Sequence, residues 1–69
     1  MIKVPHTIHI GDDIYRLSIK YYYDENENSY MWCISYTGIA NNYGFKSKNL
    51  NTVQYNVLDW IRKGHIEYE

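Results

Sequence analysis

Between Ile14 and Tyr23 the chain alternates. Tyr15, Leu17, Ile19, Tyr21 and Tyr23 share one register, and Ile14, Arg16, Ser18, Lys20 and Tyr22 share the other. Successive side chains of a pleated backbone leave on opposite sides, so this pattern predicts a strand with one buried face. Upstream, Val4, His6, Ile8 and Ile10 alternate against Pro5, Thr7 and His9. Gly11-Asp12 then forms a two-residue turn with glycine first, the type II′ preference. Closing that turn pairs Ile10 with Asp13, Ile8 with Tyr15, His6 with Leu17 and Val4 with Ile19. Pro5 has no N–H for a ladder and suits the start of an edge strand. Downstream, Glu25–Asn28 reads as the loop of a second hairpin. It sets Tyr23 opposite Tyr30, Tyr21 opposite Trp32, Ile19 opposite Ile34 and Leu17 opposite Tyr36. Tyr22 with Met31, Lys20 with Cys33, Ser18 with Ser35 and Arg16 with Thr37 fall on the other face. Both hairpins put Leu17, Ile19 and Tyr21 on one apolar side, so the two predicted registers agree.

Gly38 ends the third strand. Residues 39–47 read either as a loop around Asn41-Asn42 or as a short fourth strand with Tyr43 and Phe45 on one side. A helix is predicted over Thr52–Lys63, with Asn51 as N-cap and Gln54 positioned to reach back. Val53, Val57, Trp60 and Ile61, flanked by Leu58, form its apolar stripe. Arg62 and Lys63 suit the negative end of the helix dipole, Gly64 suits the residue after the cap, and Ile66 is placed to fold over the helix end. The predicted fold is therefore α+β. One β-β-β-(β)-α domain over residues 1–69 forms an antiparallel three- to four-stranded meander packed on one C-terminal α-helix.

At 69 residues the chain has room for one small core, and Cys33, its one cysteine, can form no internal disulfide. That economy predicts self-association or reliance on a partner. A lone cysteine suits a reducing compartment. No apolar run approaches the roughly 18 residues of a membrane span, and Met1–Pro5 lacks a signal-peptide pattern. The expectation is a cytoplasmic protein that does not enter membranes. Seven basic residues against eight acidic ones give a net charge of −1, the wrong sign for tight phosphate-backbone binding. Asn, Ile, Tyr and Lys, all with AT-rich codons, are abundant, as in many low-GC bacteria and their phages.

Candidate chemistry is sparse. His6 and His9 lie three apart on a strand, on opposite faces, and so cannot share a metal; His65 lies past the helix. Cys33 falls across from Lys20 with no histidine on the adjacent strand, and reads as a small strand residue rather than a nucleophile. Asp12-Asp13 and Asp24, Glu25 and Glu27 are hairpin-turn acids, too few for a calcium cage. The four glycines are scattered and make no phosphate loop. No catalytic, metal or cofactor residues are expected, and no enzymatic activity.

The predicted helix-free face carries Thr7, His9, Ile14, Arg16, Ser18, Lys20, Tyr22, Met31, Cys33 and Ser35, less polar than a solvated sheet face usually is. Tyr, Met and Arg are enriched at interfaces. This pattern predicts a partner-binding surface centred on Arg16, Lys20, Tyr22 and Met31. The Asn41–Lys48 segment and the outer helix face at Tyr55 and Asp59 come next. The expected function is a small protein-binding module, a phage or mobile-element inhibitor that occludes a host protein or protein complex, such as a defence system. Homo-oligomerisation is a further expectation. The alternative is a nucleic-acid-binding module that uses Arg16, Lys20, Tyr22, Lys46 and Lys48, since flanked aromatics stack on single strands.

In strand–strand–strand–helix order, Tyr15–Ile61 resembles two families. One is the DNA-binding domain of plant ethylene-response factors and transposon integrases, in which Arg16 and Lys20 would occupy DNA-reading positions on the open sheet face. The other is the HicB-type antitoxins, with a partial ribonuclease-H-like domain. The chain lacks the further Arg and Trp residues of the first and the Pro-Gly segment of the second, so both likenesses are topological.

Overall fold

Gly11 sits at φ +61°, and it alone of the turn's two central residues has positive φ, as a type II′ turn requires. The computed structural model describes residues 3–64 and 66–68. Its elements are β1 (Thr7–Ile10), β2 (Asp13–Asp24), β3 (Ser29–Thr37), β4 (Asn42–Ser47), α1 (Leu50–Lys63) and β5 (Glu67–Tyr68). Neighbouring strands are antiparallel, and their order across the sheet is β4-β3-β2-β1-β5. The first four form the predicted meander, with α1 on one face. The β1–β2 register runs from Ile10↔Asp13 to Thr7↔Arg16, and the β2–β3 register from Asp24↔Ser29 to Arg16↔Thr37, both as the alternation predicts.

The ambiguous stretch resolves as a strand. The Gly38 N–H donates to the Asn41 carbonyl at 2.9 Å, turning the chain so that β4 pairs with β3 from Thr37↔Asn42 to Trp32↔Ser47. Tyr43 and Phe45 then face Trp60, with ring centroids 5.0 Å from it in each case. A Cβ on Gly38 would stand 2.7 Å from the Tyr15 ring, so this turn needs glycine for close approach.

The helix begins earlier than predicted. Asn49, not Asn51, is the N-cap, and its side chain accepts the Thr52 N–H at 3.2 Å. Starting at Leu50 extends the apolar stripe to Leu50, Val53, Val57 and Ile61, which outweighs the reciprocal cap predicted from Asn51 and Gln54. Gly64 also differs from expectation. Its φ is −86° rather than left-handed, and its N–H closes the last turn on the Trp60 carbonyl at 2.9 Å. Glycine fits there because a Cβ would press on Trp60 and Ile66.

The core is Val4, Ile8, Tyr15, Ile34, Tyr36, Val53, Val57 and Ile61, with Leu17, Trp32, Tyr43, Phe45, Leu50, Leu58, Trp60 and Ile66 among the residues packed around it. Two departures from the predicted pairing shape this core. The ladder between β1 and β2 ends where the Leu17 N–H meets the His6 carbonyl at 3.0 Å. Val4 does not go on to pair with Ile19. Instead Pro5 is buried, and its carbonyl accepts a 2.8 Å hydrogen bond from the Tyr36 hydroxyl on β3, which brings Val4 into the core. Second, β5 pairs with the outer edge of β1 through Ile8↔Tyr68 and His9↔Glu67. The strand that Pro5 marked as an edge therefore has a neighbour of its own chain at Ile8 and His9.

Candidate protein-binding surface

Strand β2 has 12 residues, whereas α1 has 14. At about 3.3 Å per residue for a strand and 1.5 Å for a helix, β2 is roughly twice as long as α1. The helix packs on β3 and β4. It cannot also roof the far half of the β2–β3 hairpin. Beyond Leu17 no strand borders the outer edge of β2, and beyond Trp32 none borders β3 on its other side, among the described residues. The rows from Tyr22↔Met31 to Asp24↔Ser29 therefore form a two-stranded arm, which contributes to a molecule measuring 38 × 27 × 17 Å.

One face of the arm is aromatic. Ile19, Tyr21, Tyr23 and Tyr30 are 45%, 56%, 47% and 57% exposed, although the alternation assigns them to the core side and the helix was predicted to cover them. The face is correctly predicted; the cover is missing. The rings hold one another instead. Tyr21 stacks on Tyr30 at 5.4 Å and lies 4.5 Å from Trp32, and Tyr23 meets Tyr30 edge-on at 5.3 Å. The Tyr23 hydroxyl donates to the side chain of Asn28, the loop residue with positive φ, which ties the platform to the loop. Half-exposed tyrosines of about 200 Å² each, together with Ile19, bare on the order of 400 Å² of contiguous, largely apolar surface. The largest apolar patch of a monomer is commonly of about this size and is often functional.

The opposite face carries the residues singled out from the sequence. Arg16 and Lys20 are exposed, form no ion pair among the described residues, and lie with partly exposed Tyr22 along β2. Met31 does not join them: it is only 6% exposed. Lys46, one row further along β4 beside Cys33, reaches across the Met31 row to Asp24, and its Nζ lies 2.8 Å from Oδ2. Oδ1 of Asp24 accepts the Asn26 and Glu27 N–H groups at 2.9 and 3.3 Å, which shapes the loop. The hydrogen bond from Lys46 holds the Asp24 carboxyl below its usual range, reinforced by the two loop amides and opposed by burial. The same bond raises Lys46. Thus Met31 is roofed by an ion pair, and Lys46 is engaged rather than free. Of the four predicted contact residues, Arg16, Lys20 and Tyr22 stand together on the surface and Met31 lies beneath it.

Cys33 is partly buried between Lys20 and Lys46 in its row. His6 is exposed and His9 is partly buried, while His65 lies outside the described residues. Among the described residues no group of three or more His, Cys, Asp or Glu is placed to hold a metal ion. No described helix is long and apolar enough to cross a membrane.

Sequence reasoning missed the aromatic face as a surface. The signal was present in the mismatch between the predicted lengths of β2 and α1. No protein family, curated protein or solved structure matches this chain, so the topological likenesses have no match beside them.

Proposed function

We propose that the chain is a non-catalytic protein-binding module whose recognition element is the β2–β3 arm. The observation that carries this reading is that the arm runs past both the helix and the flanking strands, leaving aromatic residues bare on one side and Tyr22 on the other, with exposed Lys20 and Arg16 further back along the same face of β2. Rigid aromatic and arginine side chains are where binding energy concentrates, because they exchange much area for little lost side-chain freedom. In its concrete form the module is a phage or mobile-element protein that occludes a host protein by surface contact. The small size and the abundance of residues with AT-rich codons support that source.

The test compares capture of partners by the wild-type chain, by Arg16→Ala with Tyr22→Ala, and by Tyr21→Ser with Tyr30→Ser. Loss of one protein with either arm variant, with folding retained by circular dichroism, supports the reading. A partner held equally by all three chains removes the arm from the interface.

A second reading is single-stranded nucleic-acid binding by Arg16, Lys20 and Tyr22, favoured by the absence of ion-pair partners for the two cations among the described residues. Glu25 and Glu27 at the arm's tip oppose it. Submicromolar, steeply salt-dependent binding to random DNA would place this reading first.

A further inference from the structure

The arm has a free backbone edge as well as two faces. The pair Ile10↔Asp13 closes a two-residue turn, and the Leu17 N–H points to the carbonyl of His6, just before β1. Backbone groups alternate sides along a strand, so the N–H and C=O of Ile19, Tyr21 and Tyr23 point the same way as those of Leu17, to the side where β1 has already ended. No described strand takes them up. The stretch has no proline, no positive φ and no bulge in its register, and Lys20 is its one charged residue before Asp24. Long regular edges of this kind are what sheet proteins usually blunt.

We propose that this edge is filled by β2 of a second copy, antiparallel, about a two-fold axis at Tyr21. The inference rests on the edge geometry and stands independently of any other partner.

The sequence along the edge selects both the occupant and the register. With Tyr21 opposite Tyr21, the hydrogen-bonded rows are Ile19 with Tyr23 of the second copy, Tyr21 with itself, and Tyr23 with Ile19, all apolar. The intervening rows set Lys20 against Tyr22 of the second copy, an ammonium beside a phenol ring, twice over. Ser18 meets Asp24, whose carboxylate Lys46 already holds. Sliding the strands by two residues, to Ile19 opposite Tyr21, sets Lys20 against Lys20, a like-charge pair. Sliding the other way shortens the ladder. A strand that complements itself row by row, with opposed charges avoided, fits a two-fold homodimer.

Edge pairing extends the sheet and sets the two aromatic faces side by side, so it buries the backbone edge and the adjoining rims of Ile19, Tyr21 and Tyr23 rather than either face, with the Lys20–Tyr22 rows beneath. Pairing also turns a two-stranded arm, marginal by itself, into the centre of a four-stranded sheet. The Arg16, Lys20 and Tyr22 faces of the two copies then lie side by side on one surface.

Sedimentation equilibrium of the chain alone, over a wide concentration range, tests the proposal. The wild type is expected to pass from monomer to dimer. Tyr22→Lys places like charges opposite each other in two symmetric rows and should weaken association by about tenfold or more. Lys20→Glu added to Tyr22→Lys turns both rows into opposite-charge pairs and should restore it. Amide exchange provides a check without substitution: the Ile19, Tyr21 and Tyr23 amides should gain protection as the wild-type concentration rises. A chain that stays monomeric throughout overturns the proposal, including one that takes up only an unrelated extended peptide. So does a dimer in which Tyr22→Lys and the double variant associate as the wild type does, with the three amides unprotected. That result would assign contact to the aromatic faces. Partner capture is measured separately, so failure here is distinct from failure of the protein-binding reading.

Discussion

The Tyr36 hydroxyl lies 2.8 Å from the Pro5 carbonyl, and this one bond joins residues 31 positions apart in the chain. Proline cannot extend the β1 ladder with its nitrogen, and its carbonyl is instead turned to a tyrosine on the third strand. Pro5 and Tyr36 are both buried, so neither group has water as an alternative partner.

Tyr36→Phe should therefore leave a buried carbonyl without its donor and cost about 1–3 kcal/mol at neutral pH. In alkali the difference should narrow. Burial pushes the Tyr36 hydroxyl up to about 12 from 10.0. A folded-state value above the unfolded one gives stability that is complete below the unfolded value and is lost as pH rises from about 10 towards 12. Chemical denaturation at a series of pH values should show a shallower alkaline loss in Tyr36→Phe than in the wild type. Parallel losses would show that Tyr36 ionisation is not part of alkaline unfolding.

The Asp24–Lys46 pair makes the opposite prediction at low pH. Asp24 is depressed when folded, so its contribution is present above the ordinary carboxylate value and is lost as pH falls through the depressed one. Lys46→Ala removes the largest cause of that depression, so the variant should be less stable near neutrality and should lose less stability on acidification than the wild type. The variant should also unroof Met31, read out as faster oxidation of its thioether to the sulfoxide by peroxide. If Met31 oxidises as slowly as in the wild type, the ion pair is not its cover.

Trp60 joins the helix to β4 by packing on Tyr43 and Phe45, each 5.0 Å away, with Tyr36 at 6.2 Å. It is partly rather than fully buried. Trp60→Ala should cost about 3 kcal/mol, the lower end for emptying a large aromatic site. Tyr30→Ser on the arm should cost only about 1 kcal/mol, because it loses ring–ring contacts without opening the core. Urea unfolding of the two variants checks the order, and equal costs would mean that the arm belongs to the same cooperative core.

Gly38→Ala should destabilise by about 1–3 kcal/mol, since the new methyl would stand 2.7 Å from the Tyr15 ring in a packed region. Thermal unfolding measures it. An unchanged midpoint would show that Tyr15 can move aside.

What was legible in the sequence depended on local rules. Gly11-Asp12 and the polar run after Asp24 fixed both hairpin registers, because a turn of known length leaves the facing residues no choice. What was illegible depended on length and on distant contacts. Alternation says which side Tyr21 and Tyr23 take, but not whether anything lies over that side; that follows from where the helix runs. Met31 looked like an interface residue because its register is correct, and it is buried because a lysine two strands from Asp24 crosses over it. The two rungs of β5 offer no periodicity to detect, and Pro5 gave no hint that its carbonyl, rather than its missing N–H, would be its contribution.

The pairing of β5 with β1 has a consequence for the order of assembly. Every other ladder joins strands adjacent in sequence, so the meander can form by closing short loops one after another. The β1–β5 ladder closes a loop that spans nearly the whole chain, and only two rungs reward it. It should therefore form last in folding and open first in native-state fluctuations. While it is open, the hydrogen-bonding groups along the outer side of β1 are uncovered, and the molecule briefly presents a second free edge beside the arm.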